Sequence, residues 1–216
     1  MEKLDIFIEK LNKIVPGRLF GLFSITAGIL GDIISLFMFP EYNFMRDAVS
    51  ALCLGPGGVF FNVGNIFSGV FAIIFVNYLG RIFDEKEINR KLKTGSLVCA
   101  NISCICFVIL GVFCGSNIVI QYLHGTSALL SWGFGFLYIT LYNLLIIKDS
   151  NFSKSLGYFG VIVSFFLGLL LFLFFLHLFP ILRPIIFILP LIEWVSTLFV
   201  ILWYFFVSSY MIYKKI

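Results

Sequence analysis

Six long apolar runs, joined by short polar connections, constrain this chain more than any other feature. Each run is about as long as the 20 residues needed to cross a hydrocarbon core of about 30 Å. Of the 216 residues, 61% are apolar and 12% are charged, whereas soluble domains carry about 45–50% and about 25%. The pattern predicts an all-α fold, a polytopic membrane bundle forming one domain over residues 1–216. The predicted spans are Leu19–Phe39, Val59–Leu79, Thr94–Cys114, Tyr122–Ile147, Leu156–Phe179 and Ile186–Tyr213.

The basic residues predict how the bundle is oriented. Thirteen of the 15 Lys and Arg residues fall on one side of the spans, and the other side has Arg46 and Arg183. Basic residues in short loops mark the cytoplasmic side, so we expect a plasma-membrane protein with both termini in the cytoplasm. The net charge is +4, and the basic residues that produce it flank the spans. The sequence contains no phosphate loop, paired-Cys zinc motif or RNA-binding motif. Membrane lipids, and not nucleic acids, are therefore the expected partners.

The segment before the first span has apolar residues at Leu4, Phe7, Ile8 and Leu11, the spacing of an amphipathic helix. We predict that residues 1–17 form such a helix, lying in the cytoplasmic interface. The alternative is a helix packed on the protein itself.

Asp32 is the charged residue that lies well inside a predicted span. A charge there costs at least about 2.5–3.5 kcal/mol on insertion scales, so Asp32 must face the protein interior, a partner or water. The alternative to a functional role is a protonated side chain that is hydrogen-bonded to a neighbouring helix. Small residues at helical spacing form a face beside it that suits helix packing, namely Ser24, Gly28, Gly31 and Ser35.

The connection over residues 40–58 is the most chemically dense stretch of the chain. It holds Arg46, Asp47 and Ser50 among apolar residues too numerous for a freely solvated loop. We expect it to close over the outer end of the bundle. The alternative is an ordinary interfacial loop in which Arg46 extends to lipid phosphate. Cys53 and Cys114 both lie near this side, but the sequence does not show whether they are close enough to form a disulfide.

Three further spans carry polar residues near the same outer level. Asn62 lies on one helix face with Asn65, and helix–helix packing is the alternative to a binding role. His124 begins a face with Ser127, Ala128, Ser131 and Gly135, which predicts that it points into the bundle. Glu193 lies three residues after Pro190. A place in the first helical turn, where a carboxylate is favoured, is the alternative explanation for it.

The stretch FMRDAVSALCLGPGGVFFNVGNIFSG resembles the signature of an uncharacterised prokaryotic membrane family, domain of unknown function 998. The matching residues are Val49-Ser50, Leu52, Gly55, Phe61-Asn62, Gly64 and Gly69, with His124 and Glu193 opening the fourth and last spans. Cys53 interrupts the usual Leu-Gly step. The family is similar, more distantly, to six-span eukaryotic proteins associated with lipid-anchor remodelling and autophagy. The resemblance implies no established reaction. Residue usage rich in Phe, Ile and Lys suggests an archaeal or bacterial source.

The first functional hypothesis is a pocket, open to the outer leaflet, that binds or modifies a lipid or isoprenoid head group. Arg46 would bind an anion, and Asp32, Asn62 and Glu193 would be further ligand-binding residues. The predicted catalytic residues are His124 as acid or base, Asp47 as its orienting partner (with Asp32 as the alternative) and Ser50 as nucleophile. A metal bound by Asp32, His124 and Glu193 is a weaker variant without a recognisable ligand motif, so no metal site is predicted.

Two other classes of function remain open. A small proton-coupled transporter would use Asp32 or Glu193, although no internal repeat supports it. A non-catalytic assembly subunit would use the polar residues only to join helices. The sequence leaves open the cofactor, the substrate and the reaction. It also leaves open whether the protein forms a homo-oligomer or joins a partner membrane protein.

Overall fold

A computed structural model describes residues 14–83, 89–115, 117–177, 179 and 187–216. Residues 1–13, which would form most of the predicted amphipathic helix, lie outside the described residues. The described part is helical and contains no strand. Six of its helices are long and apolar enough to cross a membrane. Their bounds are α1 Phe20–Phe37, α2 Gly58–Ile82, α3 Arg90–Val112, α4 Ile118–Lys148, α5 Lys154–His177 and α6 Leu189–Lys214.

Each predicted span is present, and capping residues explain where two of the helices begin. The Asn89 side chain accepts a hydrogen bond from the Lys91 amide, so α3 begins four residues before the predicted Thr94. Asn117 caps α4 in the same way through the Val119 amide, four residues before the predicted Tyr122. Asn is a favoured residue at this position because its oxygen satisfies an amide that has no helical partner. The apolar run alone therefore underestimates both helices.

The six helices form a closed ring. Consecutive helices pack side by side, and α6 returns to pack on α1. The start of the first helix and the end of the last one lie at one end of this ring, where Arg18 Nη1 donates to the backbone oxygen of Ile216 at 3.3 Å. We call this the terminal end. The loop end is the opposite one, where the connection between α1 and α2 lies.

The terminal half of the ring interior is filled by large side chains. Trp203, Tyr142 and Phe75 are completely buried there, together with Leu79 and Met211. The polar atoms of this core are paired: Trp203 Nε1 donates to Asn143 Oδ1 at 3.1 Å, and the Tyr142 hydroxyl donates to the Val76 carbonyl at 2.8 Å. These residues therefore fill the axis of the ring at the terminal end.

The small-residue face of α1 packs against α2, as the sequence predicts. A Cβ added to Gly31 would lie 2.7 Å from the Phe60 carbonyl oxygen and 3.0 Å from Gly64 Cα. Ser24 Oγ donates to the Ser68 carbonyl at 2.9 Å, and Ser35 Oγ to the Gly57 carbonyl at 2.8 Å. This close contact fixes the side of α1 that carries Asp32 relative to α2.

Candidate functional site: a cavity in the loop half

The loop half of the ring encloses a cavity of about 170 Å³. All six helices contribute to its lining, as do Val49 and Ser50 from the connection between α1 and α2. On α6 the lining extends from Glu193 to Tyr204, a rise of about 16 Å for a helix. The volume is far larger than the roughly 10–15 Å³ that one water requires, so the cavity can hold a small polar group.

The segment of residues 40–57, which we call the cap, covers the loop end of the ring. It contains a 3₁₀ helix, Val49–Leu54, and Leu52 is completely buried in a cluster with Phe61 and Leu110. A disulfide joins Cys53 of the cap to Cys114 after α3, with their Cα atoms 6.0 Å apart. The pairing that the sequence left open is therefore present, and it fastens the cap to α3.

A cluster of aromatic side chains holds the cap against α6. Trp194 Nε1 donates to the Tyr42 hydroxyl at 2.7 Å, and the Trp194 ring lies 5.0 Å from that of Phe44. The same hydroxyl lies 2.9 Å from the Asp47 carbonyl oxygen and 2.8 Å from that of Ala48. Burial raises the pKa of Tyr42, against the effect of the Trp194 hydrogen bond. The phenol therefore stays neutral, and its hydrogen bonds hold the cap against α6.

Two carboxyl groups, those of Asp32 and Glu193, line the cavity. Glu193 is 7% exposed, and the Ser50 backbone amide is placed to donate a hydrogen bond to it. Asp32 makes no side-chain hydrogen bond or ion pair with the described residues. Both carboxyl groups can therefore form further hydrogen bonds with a ligand.

The helix terminus does not explain the position of Glu193. The last helix begins at Leu189, with Pro190 in its first turn, and that turn contains no acidic residue. Glu193 therefore lies in the second turn and points into the ring. The expectation of a first-turn carboxylate is wrong because the helix begins before Pro190.

Of the two asparagines near the loop end of α2, Asn65 and not the predicted Asn62 lines the cavity. Asn65 lines the cavity, is 4% exposed, and its Nδ2 atom has no hydrogen-bond partner among the described residues. Asn62, the predicted ligand-binding residue, lies outside the lining, and its buried Oδ1 also has no partner there. Residues three positions apart share a helix face, so the helix pattern alone does not separate Asn62 from Asn65.

The floor of the cavity is a hydrogen-bonded group of side chains. The hydroxyls of Tyr138 and Tyr204 lie 3.1 Å apart, and Cys104 Sγ lies 3.9 Å from the Tyr204 hydroxyl. All three residues line the cavity. Below them begins the packed core of the terminal half.

Arg46 and Asp47 lie outside the cavity, on the surface of the cap. Arg46 Nε donates to Asp47 Oδ1 at 3.2 Å, and the two side chains are 72% and 24% exposed. The hydrogen bond from Arg46 lowers the pKa of Asp47, and the same bond raises the pKa of Arg46. Asp47 Oδ2 also accepts from the Asn43 amide at 2.8 Å. The pair therefore shapes the cap and leaves its charges in solvent.

His124 is also absent from the lining, although Ser131 and Gly135 of the same face are part of it. Its Nδ1 atom lies 2.8 Å from the carbonyl oxygen of Phe113, the residue that directly follows α3. The sequence predicted that His124 points into the bundle, but in the structure its side chain does not reach the cavity. Among the described residues, no group of three or more His, Cys, Asp or Glu side chains is arranged to hold a metal ion.

Of the seven predicted site residues, Asp32, Ser50 and Glu193 meet at the cavity, and the other four do not. Sequence reasoning missed most of the uncharged lining. Single serines within the apolar spans were the available signal for this lining, because a buried hydroxyl in a membrane helix faces other helices or a cavity. The missed polar residues are Ser68, Ser103, Tyr138, Ser196, Thr197 and Tyr204.

The six apolar helices and the cavity that they enclose define a multi-pass helical membrane protein. Residues 24–210 match the family model described as Protein of unknown function (DUF998), and the chain belongs to that family. No curated protein and no solved structure matches the chain.

Proposed function

We propose that this protein binds the polar head group of a lipid or isoprenoid in the cavity of the loop half. The observation that carries the proposal is a cavity within membrane-spanning helices, lined by the carboxyl groups of Asp32 and Glu193 and by Asn65, whose Nδ2 has no partner among the described residues. Polar groups at such depth are expensive and mark ligand or ion sites. A ligand that enters from a bilayer must place its polar part where such groups are.

The seam between α1 and α6 offers a lateral route into the cavity. Of the contacts between neighbouring helices around the ring, this one is the least extensive. Asp32 on α1 and Thr197 and Ile201 on α6 line the cavity and are still half-exposed. Near the terminal end the seam is tight, where a Cβ added to Gly21 would lie 2.7 Å from Ser208 Oγ. An acyl or isoprenoid chain would therefore leave the cavity through the loop half of the seam.

The charge distribution supports placing the cavity in the outer leaflet of the plasma membrane. The thirteen basic residues on the side of the termini favour a cytoplasmic terminal end. The Cys53–Cys114 disulfide at the loop end agrees with an oxidising exterior. Arg46 on the cap surface is then positioned for lipid phosphate outside the cavity.

A catalytic step rests on fewer residues than binding does. Ser50 lines the cavity beside Glu193, whereas His124 and Asp47 do not reach it. The geometry therefore supports binding ahead of chemistry, with Ser50 as the predicted catalytic residue that a bound head group would meet.

Native mass spectrometry of the purified protein, after excess lipid has been washed away, tests binding. We expect wild type to retain one lipid molecule per chain. Glu193→Gln should lose it, because the substitution removes the buried carboxylate while keeping the shape. Glu41→Gln is the matched control, since Glu41 is exposed on the cap and its variant should retain the lipid. Absence of a stoichiometric lipid on wild type, or equal retention by both variants, would contradict the proposal.

Proton-coupled transport is the second candidate function. It is favoured by Asp32 and Glu193 sharing one cavity whose described lining contains no Lys, Arg or His. Transport also requires an opening toward the terminal end, and there the completely buried Trp203 and Tyr142 fill the axis. Acidification of vesicles containing the purified protein, measured with an internal pH dye, would support transport if Asp32→Asn abolished it.

A purely structural subunit is the third candidate, and the polar pairing does not favour it. Helix-joining residues should have their hydrogen bonds made within the bundle. Asn77 and Asn101 do so, with Asn77 Nδ2 donating to Asn101 Oδ1 at 2.8 Å. Asn65 Nδ2 and the Asp32 carboxyl group do not.

A further inference from the structure

We propose that the head group is a protonated primary amine, held as an ammonium ion by the carboxyl groups of Asp32 and Glu193. The inference rests on the proposed function and names the chemical class of its ligand. Two observations carry it: the sign of the charges in the cavity lining and the direction of its hydrogen bonds.

The charge of the lining selects against a bare anion. Its ionisable groups are the two carboxyls, together with the phenols and the thiol of the floor, and no described lining residue is basic. Arg46 and His124, the basic residues that the sequence assigned to the site, lie outside it. An anion placed in this lining would meet no positive charge. A cation within about 4–6 Å of a carboxyl group instead stabilises its ionised form.

Three of the serines that line the cavity use their hydroxyl hydrogen in a bond to a backbone carbonyl. Ser24 Oγ donates to the Ser68 carbonyl, Ser103 Oγ to the Ser131 carbonyl at 2.8 Å, and Ser196 Oγ to the Phe166 carbonyl at 3.2 Å. A hydroxyl has one hydrogen to donate and two lone pairs. With the hydrogen committed to a backbone oxygen, each of these serines can offer a ligand only a lone pair.

A ligand that complements the two carboxyl groups and these three serine oxygens donates hydrogen bonds, and an ammonium group has three N–H donors and no acceptor. Hydrogen bonds from an ammonium to a carboxylate are about twice as strong as those between neutral groups. Primary amines therefore satisfy both the charge and the hydrogen-bond direction of the cavity.

Asn65 shows what should lie next to the amine. Its Nδ2 atom is a donor that lines the cavity, is buried and has no partner among the described residues. A phosphate or hydroxyl oxygen two carbons from the amine would be an acceptor for it. The ligand class is then an aminoalcohol or its phosphodiester, which occurs both as a lipid head group and as a free small molecule.

Binding to vesicles of defined composition tests the amine. The purified protein is mixed with phosphatidylglycerol vesicles containing phosphatidylethanolamine or phosphatidylcholine, and binding is followed by native mass spectrometry. The trimethylated head group keeps the positive charge but has no N–H donor. We expect phosphatidylethanolamine to bind about tenfold or more tightly than phosphatidylcholine, the loss expected when charge-assisted bonds are removed.

Variants show whether the carboxyl groups recognise the amine. Asp32→Asn and Glu193→Gln should each reduce the preference for phosphatidylethanolamine, and Glu41→Gln should leave it unchanged. Should both cavity variants fail to fold, the comparison of the two lipids on wild type decides by itself. Free ethanolamine phosphate is a third ligand. If it binds and the lipid does not, the proposed amine stands, but a lipid is not its source.

The outcomes separate this inference from the proposed function. Equal binding of phosphatidylethanolamine, phosphatidylcholine and phosphatidylglycerol in the cavity would overturn the amine and leave lipid binding standing. Failure of every lipid and of free ethanolamine phosphate to form a stoichiometric complex would overturn both.

Discussion

The two halves of the ring interior differ in how tightly they are packed and in how their polar groups are paired. In the terminal half, Trp203, Tyr142 and Asn143 fill the axis and make their hydrogen bonds with one another or with backbone carbonyls. In the loop half, a cavity of about 170 Å³ separates the same helices, and neither Asn65 Nδ2 nor the Asp32 carboxyl group has a hydrogen-bond partner among the described residues. An unpaired polar group in a membrane is costly. The chain therefore holds its helices together in one half and keeps binding capacity in the other.

The largest expected effect is in the packed half. Trp203→Ala removes a completely buried side chain and its hydrogen bond to Asn143, and should lower the free energy of unfolding by about 3–5 kcal/mol. Phe205→Ala is the control, since Phe205 on the same helix is 44% exposed. Val200→Ala, which enlarges the existing cavity, should cost clearly less than Trp203→Ala. Unfolding in detergent titrations measures all three, and equal losses would remove the distinction between the halves.

Next in size is the disulfide that fastens the cap. Disulfides that close long loops stabilise by about 2–4 kcal/mol, and this one joins residues 61 positions apart. Reduction should lower the melting temperature of wild type and leave that of a Cys53→Ser, Cys114→Ser variant unchanged. Because the bond lies at the loop end, hydrogen exchange should increase in the cap while the terminal half stays protected. A uniform increase along all helices would contradict this localisation.

Adding one methyl group compares the two halves directly. In the packed half, a Cβ on Gly160 would overlap the side chain of Asn143, which is held by Ile139 and Trp203. Gly160→Ala should therefore cost about 1–3 kcal/mol as overpacking. In the loop half, a Cβ on Gly135 would lie 3.4 Å from Ser103 Oγ, so Gly135→Ala should leave the melting temperature unchanged. A loss of stability in Gly135→Ala equal to that in Gly160→Ala would show that the cavity is not empty space.

The smallest effect is expected on the cap surface. Arg46→Ala should leave thermal stability at neutral pH nearly unchanged, since exposed ion pairs contribute little. The pKa of Asp47 is lowered in the folded protein. Any contribution of the pair is therefore present above the ordinary pKa of Asp and is lost as the pH falls through the folded pKa. Melting curves of wild type and variant should converge at low pH; a difference that grows on acidification would contradict this.

The sequence predicted the fold better than the site, for physical reasons that particular residues show. Apolar length and charge asymmetry depend on the bilayer, so the six spans could be recognised one by one. Asp32 and Glu193 could be predicted because a carboxyl group within a span must face inward. Arg46 and His124 lie near the loop end and find nearby partners outside the cavity, Asp47 and the Phe113 carbonyl, and no sequence pattern indicates those partners. Asn62 and Asn65 differ by less than one helical turn, and only the packing of α2 decides between them.

Cysteine accessibility on α6 tests the difference between the halves most directly. Ser196 and Ser208 are both buried on this helix, about 18 Å apart along its axis, and of the two only Ser196 lines the cavity. In a background with Cys99, Cys104 and Cys106 replaced by alanine, each serine is changed to cysteine and treated with a small methanethiosulfonate. Ser196→Cys should react in the folded protein and be protected by bound lipid, and Ser208→Cys should react only after unfolding. Equal reactivity of the two, or no reaction at Ser196→Cys, would contradict a hollow, accessible loop half.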